Sequence, residues 1–410
     1  MYEQKIELRG HIVDSFILPQ IMDAIMDLGG NYVFEQFDIG RTKDEPSYCL
    51  MRLSAASQDA LDETLRLVQR LGATILEDRD CEFKPAPRDG VFPLDFYSTT
   101  NLQTFVRAQG EWIPVAKTEM DCGIILREKD GKSSAMCIPV THIKKGELIA
   151  VGHTGIRLEP MERDRKREVF AFMGSSVSTE RPKELAIAGL VNEMREAKAR
   201  NRKILLVGGP AIAHTGAAKY LSKLIEMGYV DVLFAGNALA THDIETALYG
   251  TSLGISLNTG LNEEEGHQHH IRAINTIRYY GSIQSAVEAG VLKSGVMYTL
   301  VKKNIPFVLC GSIRDDGPLP EVITDVLEGQ DAMRAHIGDV DIAIMISTML
   351  HSIAVGNLLP ARVRTVCVDI NPSVVTKLAD RGSHQTLGIV TDVESFLREL
   401  QHQLEEADKN

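Results

Sequence analysis

Several apolar runs in this sequence end in glycine or in short polar residues, and those ends are where its chemistry can sit. After KILLV come Gly208, Gly209 and Pro210, then Ala211 to His214, Thr215 and Gly216. Glycines at a strand-to-helix turn let a backbone approach a pyrophosphate, and a following helix offers N–H donors and positive dipole. The spacing is not GxGxxG. The second run, VDVLFAG, continues into Asn237 and Ala238 with no acidic residue to hold a ribose. The turn alone therefore reads more readily as a plain tight turn than as a phosphate cradle. Two later ends speak for a nucleotide. DIAIMIS runs into Thr348, Met349, Leu350, His351 and Ser352, and RTVCV ends in Asp369, Ile370 and Asn371 before Pro372. An Asp at a strand tip can accept both ribose hydroxyls, although Asp369 could also be the cap of the helix-forming PSVVTKLAD.

Arg314, Asp315 and Asp316 follow Cys310, Gly311 and Ser312 at the end of IPFVLC. Adjacent carboxylates repel, so one can hold a proton near neutrality and act as acid or base. The alternative is a surface turn, since DDGP is turn chemistry. Glu263, Glu264 and Glu265 with His267, His269 and His270 look like metal ligands, but lack the i, i+4 pair of a zinc helix. A loop reading is preferred there, and no metal is expected. Cys122 has no base near it in sequence and reads as an inert buried thiol. Arg107 is a candidate clamp for a substrate carboxylate.

The elements that must position these residues fall into three segments. Over 1–88 the order is strand, helix, two strands, helix, strand, with TILEDRDCEF closing the set, which suggests a ferredoxin-like α+β sandwich. Over 89–183 short β-prone runs such as EWIPVA, CGIILRE, SAMCIPV and ELIAVG suggest a small β-rich middle domain that could carry substrate contacts. The charged stretch MERDRKREVF near its end reads as a solvated helix face. Over 184–410 strands alternate with helices, among them AKYLSKLIEMG, DIETALYG and SIQSAVEAGVLKSGVMYTLVKKN, which is the pattern of a parallel sheet. The expected class is thus α/β, with a C-terminal nucleotide-binding parallel sheet.

Composition narrows the function. Across 410 residues, 44% are apolar and 24% charged, the balance of a folded protein. A net charge of -12 with no basic stripe argues against nucleic acid or anionic membrane as partner. No apolar run approaches the 18 or so residues of a membrane helix, and MYEQKIELRG is too charged for a signal peptide. Six scattered cysteines without CxxC pairs fit a reducing, cytoplasmic setting.

Taken together, the long blocks of the chain resemble the LOR/SDH conserved-region family, which includes archaeal-type NAD-dependent ornithine cyclodeaminases. The blocks are RGHIVDSFILP, PAPRDGVFPLDFYSTTN, GGPAIAHTG, DVLFAGNALATHDIE, GSIRDDGPLPEVITD, TMLHSIAVGNLLPA and VDINPSVVTKLADRGS. The resemblance implies a deoxyhypusine-synthase-like Rossmann variant that binds NAD. It also implies conversion of L-ornithine to L-proline and ammonia, with NAD used and regenerated in each turnover. In that chemistry the δ-ammonium must lose its proton, and Asp315 or Asp316 is the first candidate base, with His214 or His351 as alternatives. Arg314 or Arg107 would take the α-carboxylate. The expected partners are a small amino acid and further copies of the same chain. Two rivals stay open: an opine- or saccharopine-type dehydrogenase, and a non-catalytic sensor, because β-α-β-β-α-β is also the pattern of amino-acid-binding ACT modules.

Overall fold

The computed structural model describes residues 2–13, 16–42, 45–76, 79–129, 132–159, 183–256, 266–315, 317–380 and 386–409. The charged stretch Met161–Phe170, residues Glu263, Glu264 and Glu265, and Asp316 lie outside them. The chain forms two compact units, Met1–Val169 with Asn357–Arg362, and Phe170–Gly356 with Val363–Asn410.

The first unit opens with β1 (Tyr2–Gly10), α1 (Ile17–Asp27), β2 (Asn31–Asp38), β3 (Ser47–Ala55), α2 (Gln58–Arg70) and β4 (Thr74–Ile75). The strands pair antiparallel in the order β2-β3-β1-β4, the ferredoxin-like arrangement. Alternation explains the layering: Ile6, Leu8, Cys49, Met51 and Leu53 point to the face where α1 and α2 bury Ile21, Ile25, Leu61 and Val68. Ser57 caps α2 by accepting the Ala60 N–H.

One expectation is corrected here. TILEDRDCEF is not one closing strand: Thr74–Ile75 stays with β1, whereas Glu82–Pro85 pairs with a strand of the next sheet. The polar run LEDRD offers no apolar alternation to keep both ends in one sheet. The second sheet holds β5 (Glu82–Pro85), β6 (Thr104–Ala108), β7 (Glu111–Ala116), β8 (Gly123–Lys129), β9 (Lys132–Ile138), β10 (Leu148–Val151) and β11 (Ile156–Leu158). Its order is β11-β6-β7-β9-β8-β10-β5. Gln69 of α2 donates to the carbonyls of His153 and Ile156, tying the two sheets of this unit together.

The second unit is a Rossmann-like sheet with helices around it. In chain order it runs α3 (Lys183–Ala199), β12 (Lys203–Gly208), α4 (Ala211–His214), α5 (Ala218–Glu226), β13 (Val232–Gly236), α6 (Asn237–Tyr249), β14 (Thr251–Ser252) and β15 (Ile255–Ser256). It continues through α7 (His269–Tyr280), α8 (Ile283–Glu288), α9 (Val296–Lys303), β16 (Phe307–Cys310), β17 (Val322–Ile323) and α10 (Val326–Arg334). It closes with β18 (Val340–Ile346), α11 (Met349–Leu358), β19 (Arg364–Asp369), α12 (Pro372–Asp380), β20 (Thr386–Val390) and α13 (Val393–Lys409). The order β17-β16-β13-β12-β18-β19-β20 is parallel throughout. Ile204–Val207 and Ile342–Ile346 are buried because helices cover both faces, which is why these strands read as unbroken apolar runs.

The single helix expected over SIQSAVEAGVLKSGVMYTLVKKN is two. Gly290 (φ +71°) and Gly295 (φ +100°) take left-handed backbone that ends α8 and restarts α9. The new start is capped from outside: the buried carboxylate of Asp243 accepts the N–H groups of Val296 and Met297, both at 2.8 Å. Burial pushes Asp243 up to about 6 against those two hydrogen bonds.

Candidate functional site

The chain starts the parallel sheet at its middle. It lays down β12, β13, β16 and β17 in one direction, then returns to place β18 against the other side of β12. The helix connections therefore diverge between β12 and β18, and in open α/β sheets ligands bind in the crevice at such a point. The two strand tips meet there without room for a side chain. A Cβ on Gly209 would lie 2.0 Å from the carbonyl oxygen of Ser347. The Gly209 N–H donates to Ile346, and the Ser347 N–H donates to Val368 of β19. Ser347 is held at φ +50°, a conformation unusual for a residue with a Cβ. Its buried hydroxyl has no hydrogen-bond partner among the described residues. A strained residue with an orphaned hydroxyl at a switch point is a ligand contact in waiting.

Around this point the other tips converge. Gly236, at the end of β13, has no side chain because His351 packs there: a Cβ would come 3.0 Å from His351 Cε1. His351 Nδ1 lies 3.3 Å from the Thr348 hydroxyl. Burial holds the His351 imidazole below its ordinary pKa, and the field of the Asp315 carboxylate acts against that. Asp315 in turn closes the turn after β16, accepting the Ser312 N–H at 2.8 Å. The Ser312 hydroxyl accepts the Arg314 N–H, leaving the Arg314 side chain exposed. Gly311 donates to Ile323 of β17. Asn237 and Ala238 fall in the first turn of α6. The Asn237 carboxamide oxygen accepts the Leu319 N–H and the Thr241 hydroxyl, so this buried side chain fixes the loop after Pro318.

At β19, Asp369 is buried and accepts the Asn371 N–H at 2.8 Å. Asn371 accepts the Ser373 N–H ahead of Pro372, so Asn371 caps α12 with Pro at its first position. The helix does not need Asp369 as its cap. Four large apolar side chains stand exposed on these tips: Ile313, Met349, Leu350 and Ile370. Flat apolar surface beside hydrogen-bonding tips suits a molecule that alternates rings with phosphates and sugars.

The segment after Gly208, Gly209 and Pro210 is a single turn, α4, ended by Thr215 and by Gly216 at φ +75°. Its last residue, His214, enters a buried polar network. His214 Nδ1 lies 2.7 Å from the Ser252 hydroxyl, and its ring is 4.6 Å from that of His242. Burial, with a smaller push from His242, lowers His214 to about 4, so it is neutral at physiological pH. His242 is bonded to Glu245 at 2.8 Å. Burial pushes Glu245 up, but His242, the Gly254 N–H and the Thr251 hydroxyl together hold its carboxyl below the usual range. With its one proton on Glu245, Thr251 can only accept from His269, 2.8 Å away.

Of the residues picked from sequence, the second unit thus brings together Gly209, Gly311, Ser312, Asp315, Thr348, His351 and Asp369 at neighbouring strand tips. Arg107 belongs to the first unit and lines a different cavity. Of the expected Glu/His cluster, His269 and His270 are described, and no group of metal ligands occurs among the described residues. Ser347, Gly236 and the Glu245 network escaped sequence reasoning. Ser347 was adjacent to a chosen tip, but nothing in its type announces a positive φ.

Three family descriptions match in succession: the LOR/SDH bifunctional enzyme conserved region over residues 3–102, the first region of the arginine dihydrolase ArgZ-like C-terminal part over 103–187, and its Rossmann fold over 188–400. An ornithine cyclodeaminase from Methanothermobacter thermautotrophicus is 53% identical over 405 residues, covering 98% of both chains. Among solved structures, apo ArgZ, an arginine dihydrolase from the ornithine–ammonia cycle in cyanobacteria, aligns with a TM-score of 0.86 at 38% identity. That alignment covers 99% of this chain and 59% of ArgZ. The ternary complex of AgrE with ornithine and NAD+ aligns with a TM-score of 0.54 at 40% identity, covering 100% of this chain and 58% of AgrE. The chain spans about three-fifths of those two larger proteins. With the matched regions in order and near-complete overlap with the archaeal relative, the chain belongs to the ornithine cyclodeaminase family of the LOR/SDH and ArgZ-like type.

Proposed function

We propose that this chain converts L-ornithine to L-proline and ammonia in the crevice at the carboxyl ends of β12, β13, β16, β18 and β19. Support for the reaction comes from the archaeal ornithine cyclodeaminases that match along the whole chain. The observation that carries the location is the contact of Gly209 with Ser347 at the switch point. The cofactor is NAD, which when bound would supply the hydride acceptor and donor for the substrate α-carbon. The residues present fit it: the orphaned Ser347 hydroxyl, the side-chain-free backbone at Gly208 and Gly209, the Asp369 carboxylate, and the exposed apolar surfaces of Met349, Leu350 and Ile370.

The chain's own residues then bind, orient and move protons. During the reaction the δ-nitrogen closes onto the α-carbon and the α-nitrogen leaves as ammonia. A δ-ammonium resembles lysine, with a pKa of about 10.4, so removing its proton near pH 7 costs roughly 5 kcal/mol unless a base or burial offsets it. His351 serves as that base, being neutral and packed at the crevice floor. Asp315 stabilises the imidazolium that forms. Arg314, exposed at the rim, grips the substrate α-carboxylate through two parallel hydrogen bonds. His214 keeps a neutral imidazole beside the cofactor turn. The active form is a homo-oligomer in the cytoplasm, which sedimentation of the purified protein and of cell fractions would test. Among the described residues no helix is long and apolar enough to cross a membrane.

Incubation with NAD and each basic amino acid in turn tests the reading. Proline and ammonia should appear from ornithine without accumulation of reduced cofactor, and net reduction of NAD would mark a dehydrogenase instead.

A further inference from the structure

A cavity of about 200 Å³ in the first unit is lined by Glu7, Ile75, Leu76, Arg107, Trp112 and Arg157, none of which is given a role in that chemistry. Its wall is built by strand register. Arg157 of β11 stands opposite Phe105 of β6, and Arg107 of β6 stands opposite Trp112 of β7. Phe105 and Arg107 are two residues apart, so all four side chains share one face of the sheet. The Arg157 guanidinium is wedged between two rings, 4.7 Å from the centre of Phe105 and 4.9 Å from that of Trp112. Stacking of this kind fixes the planar group and strips part of its water. Among the described residues no carboxylate pairs with Arg157, while the Arg107 Nε is 3.9 Å from Asp80. Two guanidinium groups on one face repel, and an anion placed between them relieves that repulsion. Glu7 of β1, paired with Thr74 of β4, supplies the one acidic side chain of the lining. Ile75, Leu76 and the Trp112 ring supply apolar surface. The space has room for a small metabolite and not for a dinucleotide.

We propose that this cavity is a second small-molecule site that binds an L-α-amino acid. The carboxylate sits between Arg157 and Arg107, the α-ammonium faces Glu7, and an aliphatic side chain lies along Ile75, Leu76 and Trp112. A bidentate guanidinium contact and a separate acidic group read the two ends of an amino acid, which a site for simple anions would not do. Its ligand is therefore of the same class as the substrate and product of the reaction, at a place distinct from the strand-tip crevice.

Calorimetric titration of the full chain without NAD tests this, using L-proline, L-ornithine, L-arginine, the amine-free acid valerate, and inorganic phosphate. At least one amino acid should bind saturably, and Arg157→Met should weaken that binding at least tenfold. Glu7→Gln should weaken the amino acid by a similar factor and leave valerate unchanged. NAD affinity, measured separately, should stay at the wild-type value in both variants and shows that they are folded. The proposal is overturned if no amino acid binds saturably, if both variants bind as wild type does, or if phosphate is the tighter ligand. It is equally overturned if Arg157→Met abolishes ornithine turnover, since the cavity would then be the catalytic pocket. No arm but the last needs turnover, so a failure of the cyclodeaminase reading leaves the binding result standing.

Discussion

Gly209 and Ser347 press the tips of β12 and β18 together so closely that a Cβ at position 209 would stand 2.0 Å from the Ser347 carbonyl oxygen. Backbone, not a flexible side chain, blocks that space, so Gly209→Ala must part the strand tips. The expected loss is about 1–3 kcal/mol of stability, as for other overpacked positions, with NAD affinity down at least tenfold. Gly228→Ala is the control, because Gly228 has a positive φ of +80° but no atom within 4 Å of its Cβ position. It should cost about 1–2 kcal/mol from strain alone and leave NAD affinity unchanged. Thermal melts and calorimetric titration of both variants check the contrast, and equal effects on NAD would remove Gly209 from the site.

Asp369→Ala should weaken NAD by about 1.5–3 kcal/mol, the range for hydrogen bonds to charged groups. Because Asn371 caps α12 itself, the fold should survive. Wild-type protein should also prefer NAD to NADP, since a carboxylate there repels a 2′-phosphate. Titration with both dinucleotides decides; a collapsed melting temperature with unchanged cofactor affinity would make Asp369 a structural residue.

The parallel sheet was readable because helices cover both its faces, leaving runs such as KILLV and IAIMI with no polar interruption. Its polar tips were readable for the same reason, since Gly208, Ser312, Thr348 and Asp369 break those runs. What could not be read were features set by packing across the sheet. Gly236 is needed only because His351, over a hundred residues later, packs against it. Ser347 acquires its positive φ from the neighbouring strand tips. The break between α8 and α9 was missed although two glycines mark it, and its stabilising partner, Asp243, lies 53 residues before Val296. In the first unit, register between distant strands sets Arg157 beside Trp112, and no local pattern links them.

The acid limb of the pH–rate profile should report His351, which must be neutral to accept a proton. The Asp315 carboxylate raises the pKa of that imidazole against the lowering by burial. Asp315→Asn removes the raising effect, so the limb of kcat/KM should move to lower pH. His351→Asn should lose most turnover while binding changes less. A limb that stays put or moves upward in Asp315→Asn would assign the base elsewhere.

His214 makes stability depend on pH in a known direction. Its pKa falls from the ordinary 6.5 to about 4 on folding, with burial the main cause. The unfolded chain therefore binds more protons between those values, and stability is lost as pH falls from 6.5 toward 4. Asp243, raised to about 6 by burial, acts oppositely, losing stability as pH rises from 3.8 to 6. His214→Gln should flatten the acid-side fall in melting temperature, and Asp243→Ala should lower stability by roughly 1–3 kcal/mol through loss of the α9 cap. Melting curves from pH 4 to 8 check both; an unchanged acid-side slope in His214→Gln would contradict the burial argument.

The hydrogen taken from the ornithine α-carbon should return to the same carbon in proline. Ornithine deuterated at that carbon, turned over with unlabelled NAD in ordinary water, gives proline whose label mass spectrometry can count. A hydride carried by nicotinamide is not acidic and does not exchange with solvent, so the proline should keep its deuterium, with no net NADH. Proline that carries solvent hydrogen at the α-carbon would mean proton abstraction and would rule out a returned hydride.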